Sequence, residues 1–272
     1  MLAVGVTWLS ANATYRQHQA EAESAWQEIA NRPRTTTAFY DPSLVTDLPE
    51  IARRYFNHAI APGTELTTAV ILEMEGQFLL GDKAGFQSFE MRARQILDAP
   101  SDFVWIVDMR SGPMMVSGSD GLHKSRAWTR MSMFQAIPLV QIPATEGLDR
   151  SALTRPALEA VWAPAALLPI NGAIWTQLGP DKARVTVGRG DRRIDIFMTI
   201  AESGRVLDVV ANRWSDANPE KVFQHQPFGG TMEEEATFGG YTIPSVVHVG
   251  NHFGTDEYFA FFNARLVGAD HL

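Results

Sequence analysis

His248 and His252 stand four residues apart, a spacing that would place both on one face of a helix as metal ligands. They lie instead in or beside Tyr241-Thr-Ile-Pro-Ser-Val-Val-His-Val249, whose β-branched residues make a strand. Four residues of strand span about 13 Å, too far for the two imidazoles to share one zinc ion. The chain has no His-Glu-x-x-His motif and no cysteine, so disulfides, thiolate metal sites and cysteine nucleophiles are excluded together. No metal and no cofactor is expected. Glu233-Glu234-Glu235 could gather around a cation, but a strand sends Glu233 and Glu235 to one side and Glu234 to the other. A solvated edge or a set of cross-strand ion pairs fits better.

Other motif-like stretches are equally bare of chemistry. Gly188-Arg-Gly-Asp-Arg-Arg193 lacks the third glycine and the following helix of a dinucleotide loop, and reads as a hairpin tip. Ser117-Gly-Ser-Asp-Gly121 reads as a turn between strands, not as the strand-to-helix corner that presents a nucleophilic serine. Glu159, Asp208 and Asp256 are carboxylates without a partner at motif spacing, so no catalytic residue is assigned. Glu159 and Asp256 remain as a candidate polar site. Glu159 precedes Trp162-Ala-Pro-Ala-Ala-Leu-Leu168, an apolar stretch in which a buried carboxylate needs a donor or a cation. A salt bridge to an arginine is therefore expected ahead of catalysis.

The apolar residues carry a stronger signal. Of ten methionines, Met109, Met114, Met115, Met131 and Met133 crowd the middle of the chain beside Phe134. Methionine suits surfaces that repack around varied apolar shapes. With the tryptophans they define a candidate ligand-binding set: Trp105, Met115, Trp128, Met131, Trp162 and Trp175. Each of these could equally fill a core. The implied partner is a lipid or other hydrophobic small molecule. A net charge of −8 with scattered acidic residues argues against nucleic acid as a partner.

Residues from Tyr15 to Asn31 read as a helix that ends before Arg32-Pro33, and Arg34 to Ser43 reads as a linker. A second helix is expected over 47–60, with Asp47 as N-cap, Pro49 in the first turn and Ile51, Tyr55, Phe56 and Ala59 on one face. From Leu66 the period becomes alternating. Strands are expected at 70–80, 88–97, 103–109, 114–118, 122–133, 173–178, 183–188, 193–200 and 206–214. Three more follow at 231–238, 241–249 and 257–267, the first two joined by the two-residue turn Gly239-Gly240. One helical stretch at about 149–163, kinked at Pro156, interrupts the strands.

This pattern predicts a mainly β protein with helices (α+β): a single curved antiparallel sheet or incomplete β-barrel of about ten or more strands wrapped around an internal helix. The expected organisation is an N-terminal anchor or signal remnant and helix over 1–34, a linker over 35–46, and one β-rich domain over 47–272. The apolar run Leu2–Leu9 is too short for a bilayer span of roughly 20 residues. Ala11-Asn12-Ala13 has the small-x-small form of a signal-peptidase site, although no positive charge precedes the apolar run. A cell-envelope address, periplasmic or membrane-anchored through the N-terminus, is the expectation; a cytoplasmic protein with an apolar start is the alternative.

Several stretches of wording match a family. They are Leu48-Pro-Glu-Ile-Ala-Arg-Arg-Tyr55, Ala61-Pro-Gly63, Phe103-Val-Trp105, Glu159-Ala-Val-Trp-Ala-Pro-Ala-Ala-Leu-Leu-Pro169, Phe238-Gly-Gly-Tyr-Thr-Ile-Pro-Ser245 and Phe253-Gly-Thr-Asp256. With them the chain resembles an uncharacterised bacterial domain of unknown function. At the level of fold it resembles the lipoprotein carrier and lipoprotein-sorting (LolA-like) superfamily, in the order helix, strands, internal helix, strands. That resemblance implies an incomplete barrel that holds acyl chains against helices. Three readings stand: an envelope protein binding a hydrophobic ligand between sheet and helix, a structural or interaction domain with a filled core, and a hydrolase whose site is assembled from distant residues. The first is preferred, and enzymatic activity is not expected.

Overall fold

The computed structural model describes residues 2–33, 38–142, 144–218 and 220–272, with side chains from residue 12 onward and without that of Asp191. The expected linker at 35–46 therefore lies partly outside the described residues, as do the side chains of the apolar run Leu2–Leu9 and of Ala11.

Among the described residues thirteen strands form one curved, open, antiparallel sheet. A first meander comprises β1 (Ala69–Asp82), β2 (Gly85–Asp98), β3 (Asp102–Ser111), β4 (Met114–His123), β5 (Arg126–Met133) and β6 (Ile137–Ile142). A second comprises β7 (Ile174–Gln177), β8 (Lys182–Val187), β9 (Ile194–Ile200), β10 (Val206–Ser215), β11 (Gln224–Phe238), β12 (Tyr241–Asn251) and β13 (Phe259–His271). The two meanders meet at the β1–β13 pair, which leaves β6 and β7 as opposite edges. The chain between those edges must cross a face of the sheet.

That crossing carries α3 (Glu146–Ala152), α4 (Thr154–Leu158) and 3-10 turns at Glu159–Trp162, Pro164–Leu167 and Pro169–Asn171. The single helix expected at about 149–163 is thus broken into short turns. Pro156 has no N–H to offer the carbonyl four residues back, and Pro164 and Pro169 each open a new turn. Ala157, Ala160, Ala163, Ala165 and Ala166 are buried, and their short side chains let the backbone lie close to the sheet.

A second cover on this inner face is α2 (Glu50–Ala59), which buries Ile51, Ala52, Tyr55, Phe56 and Ala59. Its N-cap is Pro49 and not Asp47: the Pro49 carbonyl accepts from the N–H groups of Ala52 and Arg53. The outer face is covered by α1 (Leu2–Ala30), which starts at Leu2 because no proline stands before Tyr15 to stop it. Ala22, Ala25, Trp26 and Ile29 pack there on Ile71, Ile96, Val104 and Ile106. Around that patch Glu21 pairs with Arg130, Glu23 with Arg94, and Glu28 with His123 and Lys124. Among the described residues no helix is long and apolar enough to cross a membrane.

Two hairpins depart from the sequence reading. Ser117–Gly121 is not a turn; it lies inside β4, whose turn comes later at Lys124 and Ser125, with φ of 49° and 66°. A further turn at Phe134 and Gln135, with φ of 52° and 56°, adds β6, which was not expected. By contrast Gly239-Gly240, with φ of 56° and 91°, forms the expected two-residue turn between β11 and β12.

Candidate functional site

Strand register lines up four polar or amphipathic side chains in one row on the inner face. Gln95 of β2 is opposite Trp105 of β3, Trp105 is opposite Asp120 of β4, and Asp120 is opposite Thr129 of β5. Arg155 of α4 comes down on this row. Its Nη1 donates to Asp120 Oδ2 at 2.5 Å, its Nε to Glu159 Oε1 at 2.8 Å and its Nη2 to Gln95 Oε1 at 3.3 Å. Gln95 Nε2 donates to Glu159 Oε2 at 2.6 Å, and Thr129 Oγ1 to Asp120 Oδ1 at 2.8 Å. Both carboxylates are thereby held on both oxygens. The guanidinium also lies 4.3 Å over the Phe103 ring. Burial works against the Arg155 charge, but Glu159 and Asp120 outweigh it and hold its pKa above the ordinary guanidinium value.

Beside this network is a cavity of about 220 Å³. The sheet contributes Phe78, Trp105, Met131, Val209, Phe228, Met232, Val249, Phe261 and Phe262, and the crossing segment contributes Leu158, Val161 and Trp162. Asp120, Thr129, Arg155, Glu159 and Arg213 form its polar part. The crossing segment is pinned above it at Trp162, whose Nε1 donates to the Pro244 carbonyl at 3.0 Å while His271 Nε2 meets its carbonyl at 3.0 Å. Burial pushes His271 down to about 4.

Of the six residues expected to touch a ligand, the structure brings Trp105, Met131 and Trp162 together on this cavity. The other three lie elsewhere. Met115 is on the outer face and exposed, one residue out of phase with inward-facing Val116. Trp128 also faces outward, where its indole lies against Gly121 and donates to Ser119 Oγ at 3.1 Å. A Cβ on Gly121 would come within 2.3 Å of that ring, so glycine is what admits it. Trp175 packs between Tyr55 and Phe56 and donates to the Leu167 carbonyl at 2.8 Å.

The candidate polar pair is not assembled. Glu159 lines the cavity, whereas Asp256 is exposed in the turn between β12 and β13, with its backbone carbonyl accepting from Lys83. The three-glutamate run does not keep simple alternation, because bulges interrupt the register between Met232 and Glu235. Glu233 pairs with His248, Glu234 with Arg265 and Glu235 with His58. His252 meets the Ala217 carbonyl. Burial raises the Asp208 carboxyl, which accepts from Thr199 Oγ1 at 2.9 Å. Among the described residues no three or more His, Asp or Glu side chains are grouped as metal ligands.

Gln95, Asp120, Thr129, Arg155 and Arg213 were not singled out from the sequence. The Arg155–Glu159 spacing of four on a helical stretch was the one signal that could have found part of the network.

The fold and cavity together define a class: an open antiparallel sheet closed on its inner face by a crossing segment, with a mostly apolar pocket between them. Residues 38–264 match the family of unknown function DUF6544, and the chain belongs to that family. No curated protein matches it. Among solved structures it is similar to a domain from Vibrio parahaemolyticus described as an outer membrane lipoprotein-sorting protein, at 11% identity and TM-score 0.39 over 81% of this chain and 90% of that one. It is also similar to a LolA superfamily protein from Nitrosomonas europaea, at 8% identity and TM-score 0.39 over 80% and 90% of the two chains. A third likeness is to a DUF1329 family protein from Desulfovibrio piger, at 8% identity and TM-score 0.35 over 82% and 90%.

Proposed function

We propose that the protein binds a hydrophobic ligand of single-acyl-chain class in the cavity between the crossing segment and the sheet. The observation that carries this reading is the cavity of about 220 Å³ with aromatic, methionine and aliphatic side chains over most of its wall. A space of this size exceeds an engineered apolar cavity of about 150 Å³ that takes up benzene. Taking a methylene as close to water's share of about 30 Å³, it holds roughly seven carbons. At about 0.8 kcal/mol per buried methylene such a chain gains roughly 5–6 kcal/mol before the cost of immobilisation, so binding of a short chain alone is weak. The apolar run Leu2–Leu9 supports an envelope address.

Trp105 and Trp162 line the space, so their fluorescence reports occupancy. Delipidated protein titrated with octan-1-ol or octanoate into the millimolar range should give a saturable change. Val209→Phe, which places a ring in the cavity, should remove it. A folded protein that responds to neither compound would instead be read as an interaction domain with no small ligand.

A further inference from the structure

The polar part of the cavity has donors left over and its acceptors are taken. Trp105 is 3% exposed and lines the cavity, yet among the described residues its buried indole Nε1 has no hydrogen-bond partner. A buried donor without an acceptor costs about 1–3 kcal/mol, so such groups in a cavity wall point to what an occupant must bring. Arg213 of β10 also lines the cavity. Its Nε donates to the Ser151 carbonyl at 3.3 Å and to Ser151 Oγ at 3.1 Å, and its guanidinium lies 4.7 Å over the Phe228 ring. Among the described residues its two terminal nitrogens have no acceptor, and no carboxylate is within ion-pair distance of it. The two carboxylates of the cavity are committed to Arg155, Gln95 and Thr129.

From these unmet donors we infer that the ligand is an acidic amphiphile: an acyl or alkyl chain in the apolar part, ending in an anionic oxygen head that Arg213 and the Trp105 N–H bind. This rests on the acyl-chain reading above and adds the chemistry of the head. The electrostatics agree with it. Burial and the neighbouring Arg155 charge push Arg213 down to about 10, and Asp120, Glu159 and Asp216, acting at longer range, offset only part of this. An anion at the terminal nitrogens supplies charge-assisted hydrogen bonds that Arg213 lacks. A carboxylate and a phosphate monoester share this chemistry. An alcohol hydroxyl also offers an acceptor, so the site separates it from an anion by the greater strength of a charge-assisted bond.

The test compares three eight-carbon probes by tryptophan fluorescence and calorimetry at pH 8: octanoate, octyl phosphate and octan-1-ol. Wild-type protein should bind at least one of the two anions about tenfold or more tightly than the alcohol, about the effect of one charge-assisted contact. Which anion is preferred separates a carboxylate from a phosphate source. In Arg213→Gln the preference should fall to about threefold or less; Trp105→Phe should lose a smaller part. The wild-type comparison stands even where a variant folds poorly. Equal binding of alcohol and anions by wild type, or full anion preference in folded Arg213→Gln, overturns the acidic head and leaves the acyl-chain reading intact. Failure of all three probes overturns both.

Discussion

Two helical pieces cover the same inner face of the sheet, and they do it in opposite ways. α2 is one regular amphipathic helix, and its Tyr55 and Phe56 close on Trp175 in a three-ring cluster with centroids 5.0 to 5.5 Å apart. The crossing segment is proline-broken and alanine-rich, with a row of polar side chains beneath it and a cavity beside it. Large rings from both partners fill space under α2. Under α4 most large side chains come from the sheet alone, and the charged network fixes the separation. Continuous helix gives packing here, and interrupted helix gives room.

The contrast can be broken most forcefully from the packed side. Phe56→Ala should cost about 3–5 kcal/mol in urea unfolding, because the two remaining rings, Tyr55 and Trp175, cannot collapse onto the gap. Leu158→Ala, which only widens an existing space, should fall near the lower end, at about 2 kcal/mol. Equal losses would mean that the two regions do not differ in packing.

Arg155→Ala should cost about 2–4 kcal/mol by leaving Asp120 and Glu159 partly buried without a cation. Arg155→Met combined with Asp120→Asn and Glu159→Gln should recover most of it, since no charge is then left unpaired. A triple variant as unstable as the single one would show that the network holds the segment by shape and not by charge.

His271 links the C-terminal strand to the crossing segment through the Trp162 carbonyl, and it is neutral in the fold because its pKa lies near 4. An unfolded histidine titrates near 6.5, so between these values the unfolded chain binds more protons. The contribution is fully present above about pH 6.5 and is lost as pH falls toward 4, by roughly 2–3 kcal/mol. His271→Phe should flatten this part of the stability profile between pH 7.5 and 4.5. An unchanged profile would assign the acid sensitivity to other groups.

Val209→Phe should change stability by less than about 1.5 kcal/mol while it blocks the cavity, since the space for the ring already exists. The smallest effect is expected on the outer surface, where Arg265→Ala removes an exposed pair with Glu234 and should leave the unfolding midpoint unchanged.

How much of this was legible follows from where the backbone announces itself. Gly239-Gly240 marks its hairpin because glycine is the usual occupant of positive φ, and the strands on either side followed. Lys124-Ser125 and Phe134-Gln135 take the same backbone region without glycine or asparagine, so two hairpins were hidden. Without the first of these turns β4 and β5 had no register, and the facing of Met115, Asp120 and Trp128 could not be known. That is why Met115 and Trp128 miss the cavity and why Asp120 passed for a turn residue; Trp175 misses it because it packs on Tyr55 and Phe56 of α2 instead. Arg213 and Trp105 meet at one cavity only through sheet order, which links β3 to β10 by way of β1 and β13.

That central β1–β13 seam also sets a schedule for synthesis. β1 ends at Asp82 and its partner begins at Phe259, so β1 emerges from a ribosome with one side unpaired until residues 83–258 have followed it. At about 5–20 residues per second the wait is roughly 10–35 s. During it the first meander carries an exposed hydrogen-bonding edge in the middle of what will be its sheet, and the last thirteen residues of secondary structure are the ones that cover it.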